Sequence, residues 1–452
     1  MRGGKIPPPF PCAVDVAGQG DPPRVRGRDD GHGGVGERQA GGGEGSFYTV
    51  REIWCPVQVR CEKLPMLEVE NRFDFTRLDE CRFEWELVRF PEPGSREAGK
   101  TVIAKGALAG PRVAPHASGQ LELPLPTGWK DADAVFVTVR DPVGRELWTW
   151  SWPIQSRDAQ LVRAMSQNGA AGAVAIDDAE DRLTVRVGDG LSLAFDKRIG
   201  YIAGVTVRGE PVPFSNGPRL VASATQTVRQ EQGEGKKPKT VSSMRDLAGT
   251  NTFTRLTHRM EGSDAVIDVE YEGALRSVRW IVRPDGWVRL EYAYRIDQPC
   301  DLAGIQFDYP EKLVKSIRRL GQGPYRVWKN RLKGTRWDVW QNAYNDTVPG
   351  ESWGFPEFKG YFGNWFWATF ETEEGWITFM SSSGDTYLGV YRPNEGPDPA
   401  RTKIYTPPTG LAVFDAIPPI GTKFTDPHQS GPQSQPNPAQ IENRNVIFLR
   451  FD

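Results

Sequence analysis

The chain has 452 residues, with 56 basic against 58 acidic side chains and a formal net charge of −2 at pH 7. That length exceeds one ordinary core and fits two or three domains of about 100 to 200 residues each. The near-neutral charge gives no global field to hold a nucleic-acid backbone or an anionic membrane, and no apolar run reaches the ~18 residues of a transmembrane helix, so no nucleic acid and no membrane is expected as a partner.

Residues 1–45 are rich in Gly, Arg, Pro and Asp and end in Gly41, Gly42, Gly43 and Glu44. A stretch so poor in apolar side chains cannot offset chain entropy and is expected to be a disordered leader. Pro7, Pro8, Pro9 and Pro11 interrupt any apolar signal-peptide core, which leaves the compartment open. The abrupt change to Ser46, Phe47 and Tyr48 has two readings. One is a tail foreign to the rest, of the kind a truncated or frame-shifted gene leaves; the other is an ordinary flexible linker.

Beyond Tyr48 the apolar pattern has period two or forms short buried runs between turn formers, and helical periodicity is scarce. Residues 57–60, 67–71, 83–89, 101–106, 119–123, 134–140 and 148–153 read as seven strands, and so many short strands in about a hundred residues suggest an immunoglobulin-like β-sandwich over 46–155. The polar, Ala- and Gly-containing stretch 156–181 reads as a linker. Strands then recur at 183–187, 191–195, 202–207, 265–271, 278–283, 287–295, 304–309, 366–371, 376–381 and 446–451. Without crossover helices they imply a large antiparallel β-supersandwich over 182–452, so the fold class is all-β. The lysine-bearing stretch Gly233 to Lys239 reads as a solvated loop.

Cys12, Cys55, Cys61, Cys81 and Cys300 are too few and too scattered for a disulfide framework or a zinc site and read as buried or free thiols. No glycine-rich phosphate loop follows a strand and no His/Cys cluster has ligand spacing, so neither a cofactor nor a metal is expected.

Seven of the fifteen tryptophans fall between Trp328 and Trp376, in a segment with no His or Cys. That composition suits flat, stacking, hydrogen-bonding surfaces of the kind sugars use and is poor in acid–base groups. If 365–367 is a strand, Trp365 and Trp367 share one face and Phe366 takes the other. Each of these rings has core packing as its competing use. Asn330, Arg331, Asn342, Asn345, Asp346 and Asn364 offer hydroxyl-directed hydrogen bonds, with turns preferred for Asn345 and Asp346 and a structural ion pair for Arg331. Glu351 and Glu357, six apart around Trp353 and Pro356, are the nearest approach to a carboxylate pair, and a loop spacing alone says nothing of geometry.

Gly45 to Val57 resembles the exit from the catalytic barrel of glycoside hydrolase family 2 enzymes, and Glu70 to Phe75 followed by Leu78 resembles the opening of their next sandwich domain. Gly321 to Arg331 is similar to the Gly-x-Gly-Pro…Tyr-x-Asp-Arg run of the large C-terminal sandwich of family 2 β-galactosidases. Phe355 to Gly360 sits at that domain's proline–glutamate turn, and Ile417 to Phe424 resembles its late active-site-facing loop. The sequence departs from the β-galactosidase pattern at Arg326, at Asn330 and in a late loop with Phe424 and His428 but no Trp.

The resemblance implies a galactose-mutarotase-like second sandwich and a β-galactoside-like carbohydrate as ligand. It implies sugar contacts from Trp328, Asn330, Arg331, Trp353, Glu357, Lys359, Trp365, Trp367, Phe424 and His428. It also implies that the two catalytic carboxyl groups belong to a barrel of about 250 residues. Only the 44-residue leader stands before Gly45, so no catalytic residue is assigned and a TIM-barrel catalytic chain is an expected partner. Two alternatives stay open: a partner subunit that restores glycosidase activity in trans, and a stand-alone sugar-binding module. An apolar surface at Tyr48 to Pro56 favours the first; a polar one favours the second. The aldose-1-epimerase superfold, which the large sandwich also resembles, raises mutarotation, but His32, His116, His258 and His428 are too dispersed to supply its acid and base.

Overall fold

The computed structural model describes residues 45–97, 99–166, 172–232, 239–343, 360–390, 407, 409–421, 427 and 431–452. They belong to one compact unit, Gln39–Asp452; the other unit, Met1–Arg38, lies outside the described residues, as does the rest of the leader up to Glu44. The segments 233–238, 344–359, 391–406, 422–426 and 428–430 also lie outside them, and with these the readings of Asn345, Asp346, Glu351 and the lysine-bearing loop.

The architecture is all-β and antiparallel, as the alternation predicts. The first sandwich pairs a three-stranded sheet with a four-stranded one. In the first, β2 (Met66–Asn71) lies between β1 (Val57–Lys63) and β5 (Ser118–Glu122). In the second, β3 (Arg82–Arg89) and β6 (Ala134–Arg140) lie between β4 (Thr101–Ala109) and β7 (Glu146–Pro153). All seven predicted strands are present. Alternate residues supply the core: Leu67 and Val69 from one sheet meet Phe83, Trp85, Val135 and Val137 from the other, all buried.

The large sandwich has an eleven-stranded and a nine-stranded sheet. The strands that matter below in the first are β13 (Ser215–Gln230), β19 (Leu302–Asp308), β22 (Phe362–Gly363), β25 (Tyr387–Val390) and β26 (Leu411–Ala416). The second runs in the order β15 (Thr252–Glu261), β16 (Asp264–Glu272), β17 (Leu275–Val282), β18 (Val288–Ile296), β27 (Gln440–Phe451), β24 (Trp376–Ser381), β23 (Trp365–Thr372), β20 (Val314–Gly323), β21 (Arg336–Ala343). Its central core includes Trp280, Phe307, Phe379 and Leu449, none more than 1% exposed.

Two helices correct the sequence reading. α1 (Gly45–Ile53) occupies the segment just after the leader, and α2 (Arg157–Ser166) lies in the stretch expected to be a bare linker. The same stretch ends in β8 (Val174–Asp178), which pairs with β9 (Arg182–Val187). α2 is polar by composition and, at 10 residues, too short to persist alone, but it buries Leu161 and Ala164 against Phe90, Phe136 and Trp337, and tertiary packing of that narrow face holds it. Arg163 near its end pairs with Asp133 at 2.6 Å and Glu92 at 2.7 Å in the first sandwich. Arg157 at its start donates to the carbonyls of Trp365 and Ser381 and to Asn364 Oδ1 in the second, and burial lowers its pKa to about 10. The helix is thus riveted at both ends, and Lys100 with Asp338, 2.7 Å apart, adds a further bridge between the sandwiches.

Candidate functional site

Beyond β20 the chain turns through a cis Gly323–Pro324 peptide into Trp328 to Arg331. The turn closes on itself: Trp328 and Arg331 exchange backbone hydrogen bonds, and Val327 pairs with Tyr361. Gly360, beside that pairing, has φ +141° and a Cβ there would lie 2.3 Å from the Val327 carbonyl, so only glycine fits.

Asn330 uses its whole amide. Nδ2 donates to the Ile420 carbonyl and to Ser434 Oγ, both at 2.9 Å, and Oδ1 accepts from the Ile420 amide at 3.0 Å. Its neighbour Lys329 donates to the carbonyls of Gln435 at 2.7 Å and Pro436 at 3.1 Å, and burial lowers its pKa. These residues tie the 417–421 and 431–437 segments to the sheet. The Trp328 ring is 2% exposed and packs edge-on against Tyr361, with centroids 5.6 Å apart. Asn342 accepts from Arg319, whose guanidinium lies 3.9 Å from the Phe362 ring centroid and whose pKa falls to about 9 through burial and the nearby Arg326.

Trp365 and Trp367 do not share a face. Leu320 pairs with Trp367 and Gly321 with Trp365, so Phe366 is an extra residue in the ladder, and the bulge turns the strand between the two indoles. Trp365 enters the inter-sheet core, whereas Phe366 and Trp367 pack toward α2 and the first sandwich. At 0% and 1% exposure neither tryptophan can stack on a ligand. Of the predicted contact residues, Trp328, Asn330 and Arg331 come together in one knot, and Trp365 and Trp367 are core. Trp353, Glu357, Lys359, Phe424 and His428 lie outside the described residues.

A second polar cluster escaped the sequence reading. Asp415 is the bulged residue of β26, since Ala303 pairs with Ala416 and Gly304 with Phe414, and it points across to the nine-stranded sheet. There it accepts from Tyr294 and Asn443 at 2.7 Å, from Tyr292 at 3.2 Å and from Asn445. Burial pushes its pKa up to about 6, against these four hydrogen bonds, which favour the anion. Tyr292 and Tyr294 are in turn held neutral, their pKa values raised by burial and by the Asp415 charge.

α1 carries the remaining feature. On its inner side Arg51 donates to the Leu147 carbonyl at 3.1 Å and the Glu146 carbonyl at 2.7 Å of β7. Buried Glu52 accepts from the Gly334 amide at 2.6 Å and Lys333 Nζ at 2.9 Å, and the Tyr48 ring lies tilted against Tyr325 with centroids 4.9 Å apart. Gly334, at φ +84°, lets the turn approach: a Cβ would come 2.6 Å from the Thr49 amide nitrogen. The helix is therefore a wedge between the two sandwiches. Its other side is apolar and bare: Phe47 is 57% exposed, Val50 44%, Ile53 47% and Trp54 79%, with Leu332 at 46% just before the Lys333 contact. The spacing 47, 50, 54 was visible in the sequence as one helical stripe, but nine residues before Pro56 are too few for the period to stand out.

Among the described residues no three His, Cys, Asp or Glu side chains are grouped to hold a metal ion, and no helix is long and apolar enough to cross a membrane. Residues 67–141 match the family model described as β-galactosidase, domain 4. No curated protein matches the chain. Among solved structures it is similar to galactose 1-epimerase from Lactobacillus acidophilus NCFM, with 9% identity, a TM-score of 0.33, and coverage of 62% of this chain and 98% of that one. That likeness is too distant to carry a functional argument. The family match covers well under half of the chain, so what it gives is the kind of domain: the first sandwich is similar to the fourth domain of β-galactosidases.

Proposed function

We propose that the chain is the C-terminal, non-catalytic region of a β-galactosidase-like glycoside hydrolase of family 2, and that it completes a sugar site on a catalytic barrel. The observation that carries this reading is the outer face of α1. Three large apolar side chains of α1 and Trp54 just beyond its end stand in water, the opposite face of the helix is locked to both sandwiches, and a rigid, exposed apolar stripe of this kind marks a protein interface. A stand-alone sugar-binding module would have no use for such a surface. The domain match at 67–141 supports the class of enzyme served. Because Trp328, Asn330, Trp365 and Trp367 are spent in packing, the reading places the contacts to a β-galactoside-like ligand on Trp353, Glu357, Lys359, Phe424 and His428.

The test is hydrolysis of nitrophenyl β-galactoside, β-glucuronide and β-mannoside by the chain alone, by a β-galactosidase fragment that stops before its fourth domain, and by the two together. Turnover only in the mixture supports the proposal. Turnover by the chain alone, abolished by a carboxyl-to-amide change within it, overturns it.

A further inference from the structure

β13 runs on past the sheet it belongs to. It pairs with β19 as far as Ser223 opposite Leu302, and with β14 (Lys239–Asp246) from Ser223 opposite Asp246 out to Gln230 opposite Lys239. Among the described residues β14 has no other ladder partner. Beyond Ser223 the two strands therefore leave the sheet as a two-stranded arm, roughly 24 Å long at ~3.4 Å per residue. Gln226 to Gln230 and Met244 to Asp246 are all exposed, so the arm has no buried face of its own. Its strands are held in register by Gln226 Nε2 donating to Ser243 Oγ at 3.0 Å and by the Thr227 and Ser242 hydroxyls, 3.1 Å apart.

The root of the arm is fixed. Asp301, 3% exposed, donates its amide to the Ser223 carbonyl at 2.8 Å, and its Oδ2 accepts from the Thr225 amide at 2.6 Å. Both bonds lie on the edge of β13 away from β14. Backbone groups alternate along a strand, so Thr227 and Arg229 turn their N–H and C=O to that same edge, where no described strand meets them.

We infer that this edge pairs with the same edge of a second copy of the chain, the two arms forming one antiparallel four-stranded sheet about a two-fold axis. A two-stranded ribbon is marginal in water, and an open edge is a template for a further strand. Between Ala224 and Gln230 the edge lacks the usual protections: it has no proline and no bulge, and Arg229 is its single charge. A second copy brings an edge of equal length that is already ordered, so the pairing costs little chain entropy. Strand addition draws its affinity from main-chain bonds, which suits an arm without aromatic anchors.

The register follows from the residues. An axis at Thr227 would pair Thr225 with Arg229 of the second copy and take the Thr225 amide from Asp301. An axis at Arg229 would set the two arginines opposite one another. An axis at Val228 does neither. Thr227 then lies opposite Arg229 of the second copy and Arg229 opposite its Thr227, which gives four backbone hydrogen bonds, and Gln226 faces Gln230. Val228, 52% exposed in the single chain, meets its own counterpart on the axis.

The inference depends neither on α1 nor on a barrel. It is tested on the full chain by sedimentation velocity across a concentration series, for wild type, Thr227→Pro and Trp54→Ser. The Thr227 N–H takes no part in the pairing with β14, so proline there should keep the arm and the wild-type melting temperature while removing two of the four bonds. Wild type and Trp54→Ser should dimerise alike, and Thr227→Pro should dimerise at least about tenfold more weakly. Register is read by mild oxidation of Val228→Cys and Gln226→Cys on a non-reducing gel, with wild type as blank. Two residues 228 form a pair with no hydrogen bonds between them, Cα atoms ~4.5 Å apart, within reach of a disulfide; two residues 226 lie roughly 14 Å apart. A covalent dimer is expected for Val228→Cys alone. A wild-type chain that stays monomeric, a dimer indifferent to Thr227→Pro, a dimer lost in Trp54→Ser, or equal cross-linking of the two cysteine variants each overturns the pairing.

Discussion

Asp415 offers the sharpest energetic test of the large sandwich. Its carboxyl pKa is pushed from the ordinary 3.8 up to about 6, so the folded protein binds a proton between pH 6 and pH 4 that the unfolded chain does not. Stability therefore rises as pH falls through that window and is lower above it. Two pK units correspond to about 3 kcal/mol. Asp415→Asn removes the titration but supplies only one oxygen for the four donors of Tyr292, Tyr294, Asn443 and Asn445. The quantity to measure is the difference in unfolding free energy between variant and wild type, from urea titrations followed by tryptophan fluorescence at pH 4, 5, 6 and 7. Taking the difference cancels the other carboxylates. The variant should lose about 3 kcal/mol relative to wild type as pH drops from 7 to 4. A difference that stays level, or that tilts the other way, refutes the argument that burial outweighs the four hydrogen bonds.

Other substitutions test the packing. Trp367→Ala should destabilise by about 3–5 kcal/mol in chemical denaturation, as for a large aromatic removed from a core. Glu52→Ala leaves the Gly334 amide without its acceptor and should cost about 1–3 kcal/mol, read from the same curves; Gly334→Ala should cost more than the ordinary effect of adding a methyl group, because the backbone of Thr49 blocks it. Cys55, Cys81 and Cys300, with thiol pKa values raised by burial to about 11, 11 and 12, should resist a thiol reagent at pH 8 in the native protein and react once it is unfolded.

The strands were legible because period two is unmistakable where one face is buried, as in Leu67–Val69 or Val135–Val137–Val139. β13 was not, since Gly217 and Pro218 interrupt it and its far half, Gln226 to Gln230, is exposed on both faces. The facing of Trp365 and Trp367 failed for a different reason: a bulge is a property of two paired strands and cannot be seen in one of them. Asn330 shows the limit for site residues. Its amide could serve a sugar or a carbonyl equally well, and only the proximity of Ile420 and Ser434, some ninety and a hundred residues away, decides for the carbonyl and hydroxyl.

The most direct measurement is a titration of this chain into a fixed amount of a β-galactosidase fragment lacking its fourth domain and all that follows, with release of nitrophenol from the β-galactoside as readout. A saturable rise in rate is predicted for the wild-type chain. The half-saturation point should move at least about tenfold higher for Val50→Ser with Trp54→Ser, as expected when anchor side chains leave an interface. A rate that does not rise, or one that rises identically with the bare stripe made polar, would contradict the role assigned to α1.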